Sequence, residues 1–213
     1  AHGRILHALD KGDIDILVGT QMITKGHDFP NVTLVGVISA DTALHIPDFR
    51  AAEKTFHLLT QVSGRGGRGD DPGRGIIQTL NPDHYAIRLA KDHDYEGFFV
   101  DELNTRNCLN YPPFSRMINL HMSSLNREAG RKQVEEVKNL ADRLIRDGAG
   151  AGKIDIIGPA ESPVARVRGR YRWQMLLKGE DRRELRALTL AILSGNRRET
   201  LRIGVDVDPL NFM

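Results

Sequence analysis

The sequence predicts an α/β protein in two parts, a parallel-sheet unit followed by a small α+β unit of order βαββαβ. Three observations carry this. Short apolar, β-branched runs bounded by turn residues recur at 14–19 (IDILVG), 32–40 (VTLVGVISA) and 75–80 (GIIQTL), and buried strands of parallel sheets read this way. The stretch Tyr111-Pro112-Pro113-Phe114 stops a helical pattern, because proline cannot continue a helix and pushes the residue before it out of one. Beyond that break, segments of period two alternate with segments of helical spacing.

Taken in order, residues 4–11 read as the end of a helix with Gly12 at its C-cap, so the chain is expected to begin inside a domain. Strands are expected at 14–19 and 32–40, a helix at 51–64 with Phe56, Leu59 and Val62 on one face, and a third strand at 75–80. Ligands of such sheets sit at the carboxyl ends of the strands, which singles out 19–30, 41–50 and the surroundings of Arg65. Residues 94–110 form a helical connector. The second unit then reads as strand 116–123, helix 127–146, strands 153–157 and 171–178, helix 181–194 and strand 200–207, a ferredoxin-like order. The expected domains are 1–92, a connector at 93–115, and 116–213.

Composition narrows the function classes. Of 213 residues 40% are hydrophobic and 27% charged, which excludes a disordered or fibrous chain. A net charge of +2 is too small to announce a nucleic-acid partner, so any basic surface must be local. The single cysteine, Cys108, excludes internal disulfides and multi-cysteine metal sites, and fits a reducing compartment. Eight histidines occur without an H-E-x-x-H pattern, so no metal site is expected. No apolar run reaches the ~18–20 residues that span a bilayer, and the N-terminus has no signal-peptide pattern; a cytoplasmic protein without a membrane partner is expected.

Two glycine-rich stretches are decoys. The run from Gly148 to Lys153 lacks the glycine and hydroxyl residue of a phosphate loop, having Asp147 and Ile154 there, and it precedes a strand. The run from Gly64 to Gly69 matches G-x-G-x-x-G but ends a helix where the dinucleotide motif opens one.

The sharpest chemistry lies in Gln61-Val-Ser-Gly-Arg65-Gly-Gly-Arg68. Gln61, Arg65 and Arg68 stand at i, i+4 and i+7, on one helix face. Arginine's planar, permanently charged fork suits phosphoryl oxygens, and a supplied arginine contributes ~10³–10⁵ to phosphoryl-transfer rates. A solvated basic helix end explains the same residues equally well. The segment from Gly19 to Pro30 tips the balance, since it leaves a strand's carboxyl end with Thr20, Lys25, Gly26 and Asp28, groups suited to phosphates and ribose.

TQMITKGHDFPNV and QVSGRGGR resemble motifs V and VI of superfamily 2 helicases, and the K-G-H-D-F-P form resembles the PriA family of primosomal replication-restart helicases. PDFRAAEKTFHLLTQVSGRGGR, IIQTLNPDH, DYEGFFVDELNTRNCLNYPPFS, RGRYRWQ and DVDP follow in the family's order. The resemblance implies an ATP-driven 3′→5′ DNA helicase that binds replication forks and single-stranded DNA and restarts replication with other primosome proteins. It implies a partial RecA-like second helicase lobe over 1–92, with Arg65, Arg68 and Gln61 as catalytic residues. Gly26 and Asp28 would couple nucleotide to DNA, and Thr20 and Lys25 would contact phosphate or DNA. ATP and Mg²⁺ would be bound jointly with a first lobe, because no phosphate-binding loop or acidic Mg²⁺ box occurs in this chain. Zinc belongs to the family's cysteine cluster, also absent here, so 213 residues correspond to the last part of a family member, and this part alone is expected not to hydrolyse ATP. Gly66-Gly67 departs from the family's more usual Ala-Gly, loosening the helix by ~1 kcal/mol at most.

In the second unit Arg166, Arg168, Arg170 and Arg172 alternate. If extended they share a face, with Tyr171 and Trp173 opposite, a row fit to track DNA phosphates. A charged edge strand with Trp173 in the core is the plainer explanation. Arg182 and Arg183 open the last helix, where a carboxylate of the family's partner, single-stranded DNA-binding protein, is conceivable, although a solvated helix start is preferred. Another superfamily 2 translocase, or a non-catalytic fork-binding scaffold, would share part of these features. The resemblance also implies a bacterial, nucleoid-associated location.

Overall fold

The computed structural model describes residues 2–20, 32–63, 74–148, 153–196 and 200–212. The chain divides into two compact units, Ala1–Leu103 and Asn104–Met213.

The first unit begins with α1 (His2–Asp10), which ends at Gly12 with φ +77°, a left-handed conformation that glycine adopts without a Cβ penalty. Then follow β1 (Leu34–Val37), α2 (Asp41–Leu44), α3 (Ala51–Ser63), β2 (Arg74–Ile77), α4 (Tyr85–Lys91) and α5 (Tyr95–Cys108). β1 and β2 pair in parallel, Leu34 opposite Arg74 and Val37 opposite Ile77. The core gathers Phe56 and Leu59 of α3, Ala86, Ile87, Leu89 and Ala90 of α4, and Phe98 of α5, with Val37 and Ile77 packed against it. Phe56 and Phe98 stack at 4.1 Å, and the Tyr85 hydroxyl donates to the buried Glu102 carboxylate at 2.6 Å.

The strand expected at 14–19 does not form. That stretch is irregular, with Ile16 79% and Val18 83% exposed. A strand exists only as one half of a ladder, and the described two-stranded sheet pairs only β1 with β2. The other two strands are shorter than their apolar runs, and Leu34 and Ile76 are exposed. The sheet is therefore covered where Val37 and Ile77 meet the helices, and the reading of strands buried on both faces is corrected.

The second unit contains β3 (Arg116–Ser124), α6 (Arg127–Arg146), β4 (Ile154–Val167), β5 (Arg170–Gly179), α7 (Arg182–Gly195) and β6 (Arg202–Val207). Both helices start at acceptors for their orphan N–H groups: Asn126 accepts from Ala129 N, and Asp181 from Arg183 N and Glu184 N. Glu128 in the first turn of α6 and Arg143 and Arg146 in its last complement the helix dipole. The antiparallel sheet has the order β4-β5-β3-β6. Ile118, Leu120 and Met122 of β3 and Trp173, Met175 and Leu177 of β5 pack with Val134, Val137, Ala141, Leu185, Leu188 and Ile192 of the helices. One face of the sheet is thus helix-covered. β4 runs to Val167, ten residues past the expected end at 157, because it forms a hairpin with β5 across Arg168 and Gly169.

Candidate nucleotide and nucleic-acid interface

Helix α3 follows its sequence pattern. Phe56, Leu59 and Val62 are buried while Gln61, in the last turn, is exposed. Thr20 is exposed in irregular chain. Arg65, Arg68, Lys25, Gly26 and Asp28 lie outside the described residues.

The carboxyl ends of β1 and β2 carry a polar knot, part of it in the 41–50 segment that the sequence singles out without naming any residue there. Buried Asp41 accepts from Thr79 Oγ1 through Oδ1 and from Leu80 N through Oδ2, both at 2.9 Å. The Leu80 hydrogen bond, opposed by burial and helped by Thr79, holds its carboxyl below the usual range. Ser39, at φ +58°, shares a 2.8 Å hydroxyl hydrogen bond with Thr42. His84 caps α4, its Nδ1 accepting from Ala86 N. Burial pushes this imidazole's pKa down against Glu102 and Asp41, which keeps the accepting nitrogen free of a proton. At the head of α3, buried Asp48 accepts from Arg50 N at 3.0 Å and pairs with Lys54. A carboxylate directly beyond an apolar run, as in S-A-D-T, and the Pro-Asp before a helical pattern were the available signals.

In the second unit the arginines do not form one row. Arg168 (φ +48°) and Gly169 (φ +78°) make the two-residue hairpin connection, a geometry with positive φ at both central residues. The chain reverses there, so Arg166 lies opposite Tyr171, on the helix-covered side, with its guanidinium 5.0 Å from the ring centre. Arg170 is tied to Ser123, Nε donating to Oγ at 3.1 Å and Nη2 to the carbonyl at 2.9 Å. Only Arg170 and Arg172 still alternate on one strand face, and Trp173 is core at 4% exposure. The Arg-Gly pair between two alternating segments was the overlooked turn signal. At α7 the Asp181 carboxylate already accepts from the first N–H groups.

Comparison with known proteins decides the family. Residues 107–210 match the family model described as Primosomal protein N C-terminal domain. The whole chain aligns at 47% identity with the Replication restart protein PriA of Bacillus subtilis. The chain belongs to the PriA family. The Synechocystis PriA is 40% identical over the whole chain, and that of Treponema pallidum 41% over 95% of it. The chain spans only 26%, 25% and 30% of these three PriA proteins. Among the described residues no helix is long and apolar enough to cross a membrane, and no group of three or more His, Cys, Asp or Glu side chains could hold a metal ion.

Proposed function

We propose that this chain serves as the C-terminal part of an ATP-dependent 3′→5′ DNA helicase that binds stalled or branched replication forks and restarts replication by primosome assembly. The observation that carries this is the 47% identity to a PriA protein across the whole chain, which includes TQMITKGHDFPNV and QVSGRGGR. In this role Arg65 and Arg68 stabilise charge on the transferring phosphoryl group, as paired guanidinium groups do without any change of protonation. Gln61 stands four residues before Arg65 in the sequence, and its exposure at the end of α3 fits a side chain presented to a ligand. Gly26 and Asp28 couple nucleotide to DNA, with Thr20 and Lys25 beside them. ATP and Mg²⁺ supply the transferable phosphoryl group and its charge neutralisation, and the phosphate-binding loop that holds them is not in this sequence. DNA, single-stranded DNA-binding protein and other primosome proteins are the partners of this role.

The test is direct. The purified chain, with single-stranded DNA added, should turn over no ATP above buffer, since its arginines act only on a nucleotide presented by another lobe. Turnover above buffer by the pure chain would contradict the divided site.

A further inference from the structure

The helices of the second unit cover one face of its sheet, and strand register sets what the other face presents. Residues directly opposite in an antiparallel pair project to the same side. Arg172 lies opposite Ser123 of β3, and Ser123 lies opposite Arg202 of β6. The three form a row across adjacent strands, and with strands ~4.8 Å apart the two arginines flank the serine at a Cα separation of ~10 Å. Arg170 reaches the same serine, donating to both its hydroxyl and carbonyl oxygens. Because Ser123 Oγ accepts from Arg170, its own hydrogen is left to donate outward.

The neighbouring row on this face is Gln174, His121 and Gly204. Gly204 adds no side chain, and a Cβ built there would meet only His121 atoms at 3.9 Å. The floor beside the arginines is therefore low, polar and partly exposed. Among the described residues no carboxylate pairs with Arg172 or Arg202; of the acids on this face, Asp206 stands 3.9 Å from His121 Nε2 and Asp155 stands 3.6 Å from Lys178 Nζ. Guanidinium groups gathered without counter-ions repel one another, and a polyanion across them removes that repulsion.

We propose that Arg172, Ser123 and Arg202 form a phosphate-binding row for a single nucleic-acid strand laid across the open face of this sheet, with Gln174, His121 and Gly204 as the floor for a base. Arg170 is a positioning residue that orients the Ser123 hydroxyl. The site rests on the DNA-binding role proposed above, but it moves the contact from the hairpin to the sheet and enlists Arg202, which lies thirty residues away in sequence from Arg172. A run of acidic side chains would also satisfy the guanidinium groups, but carboxylates alone supply no planar ring for the floor beside Gly204. Burial pushes the His121 pKa down, Asp206 opposes and Arg172 adds to the lowering.

The experiment uses the full chain and a fluorescent oligothymidylate, titrated by anisotropy at several salt concentrations. Arg172→Gln and Arg202→Gln should each weaken binding and flatten the slope of log affinity against log salt by ~0.7 per phosphate contact, the single-strand value. Arg202→Lys should retain the slope, and Lys132→Gln, the same charge change on α6, should leave it unaltered. Thermal melts confirm that each variant is folded. Strand binding by the parent chain with unaltered slopes in both glutamine variants would overturn the row while leaving the DNA-binding role standing. No strand binding by the parent chain at any salt would overturn the DNA-binding role itself. A poly-aspartate peptide that binds the parent chain and is lost in both glutamine variants, while the oligonucleotide is unaffected, would make the row an acidic-protein site and overturn the proposal.

Discussion

Gly130, in the first turns of α6, lets the helix lie directly on Trp173 and Ser124. A Cβ there would stand 2.5 Å from the indole and 2.7 Å from Ser124 Cβ, distances no relaxed core holds. Gly130→Ala should therefore destabilise the second unit by ~1–3 kcal/mol through overpacking, read as a lower urea midpoint; an unchanged midpoint would mean the helix can lift freely. Packing at this point fixes Trp173 inward and so turns Arg172, its neighbour in sequence, to the open face. Asp41 makes a second residue-scale case. Its folded pKa is depressed, so its contribution is present above the unfolded carboxyl pKa of ~3.9 and is lost as pH falls through the folded value. Asp41→Asn should therefore be less stable than the parent at neutral pH, with the gap closing below pH ~4 in acid denaturation. A gap of equal size at every pH would show that the charge is immaterial. Gly130 was not visible in the sequence, because it depends on Trp173 far along the chain; Asp41 lies in the 41–50 segment the sequence singles out, but its partners Thr79 and Leu80, far along the chain, were not legible.

The elements that were legible carry their own local signals. α6 and α7 have an Asn or Asp cap, apolar stripes at helical spacing and, for α6, basic last turns, and the sequence places both within one residue of their ends. α3 was legible from Phe56, Leu59 and Val62 for the same reason. Residues 14–19 misled, because a β-branched apolar run reports propensity while a strand needs a neighbour. The β4–β5 hairpin misled in the opposite direction. RVRGRYRWQ reads as one alternating strand, and only the positive φ of Arg168 and Gly169 reverses it. This makes a clean prediction: Gly169→Ala should cost ~1–2 kcal/mol, the penalty of a side chain in the left-handed region, seen as a lower melting temperature. An unaffected melt would mean that the connection adopts another geometry at no cost. Arg202 was illegible as a site residue for a different reason, since only sheet register brings it beside Ser123 and Arg172.

At the scale of the whole molecule, the second unit is an antiparallel sheet with a closed core, and the first has a two-stranded sheet with Leu34 and Ile76 exposed, followed by exposed Ile38 and Leu80 just past the strand ends. The chain spans about a quarter of the Bacillus PriA protein, and on the proposed function its arginines complete a site whose nucleotide-holding half lies in the remainder. Arg65 and Arg68 were legible as phosphoryl-binding candidates from spacing alone, whereas the choice between that role and a solvated helix end needed the flanking motif. The most direct measurement is therefore DNA-stimulated ATP turnover and fork binding, taken together, for Arg68→Ala in a full-length PriA protein carrying this chain as its C-terminal part. A transition-state role predicts turnover lower by ~10³-fold or more with fork affinity nearly unchanged. Unchanged turnover, or a loss of fork affinity as large as the loss of turnover, would contradict it.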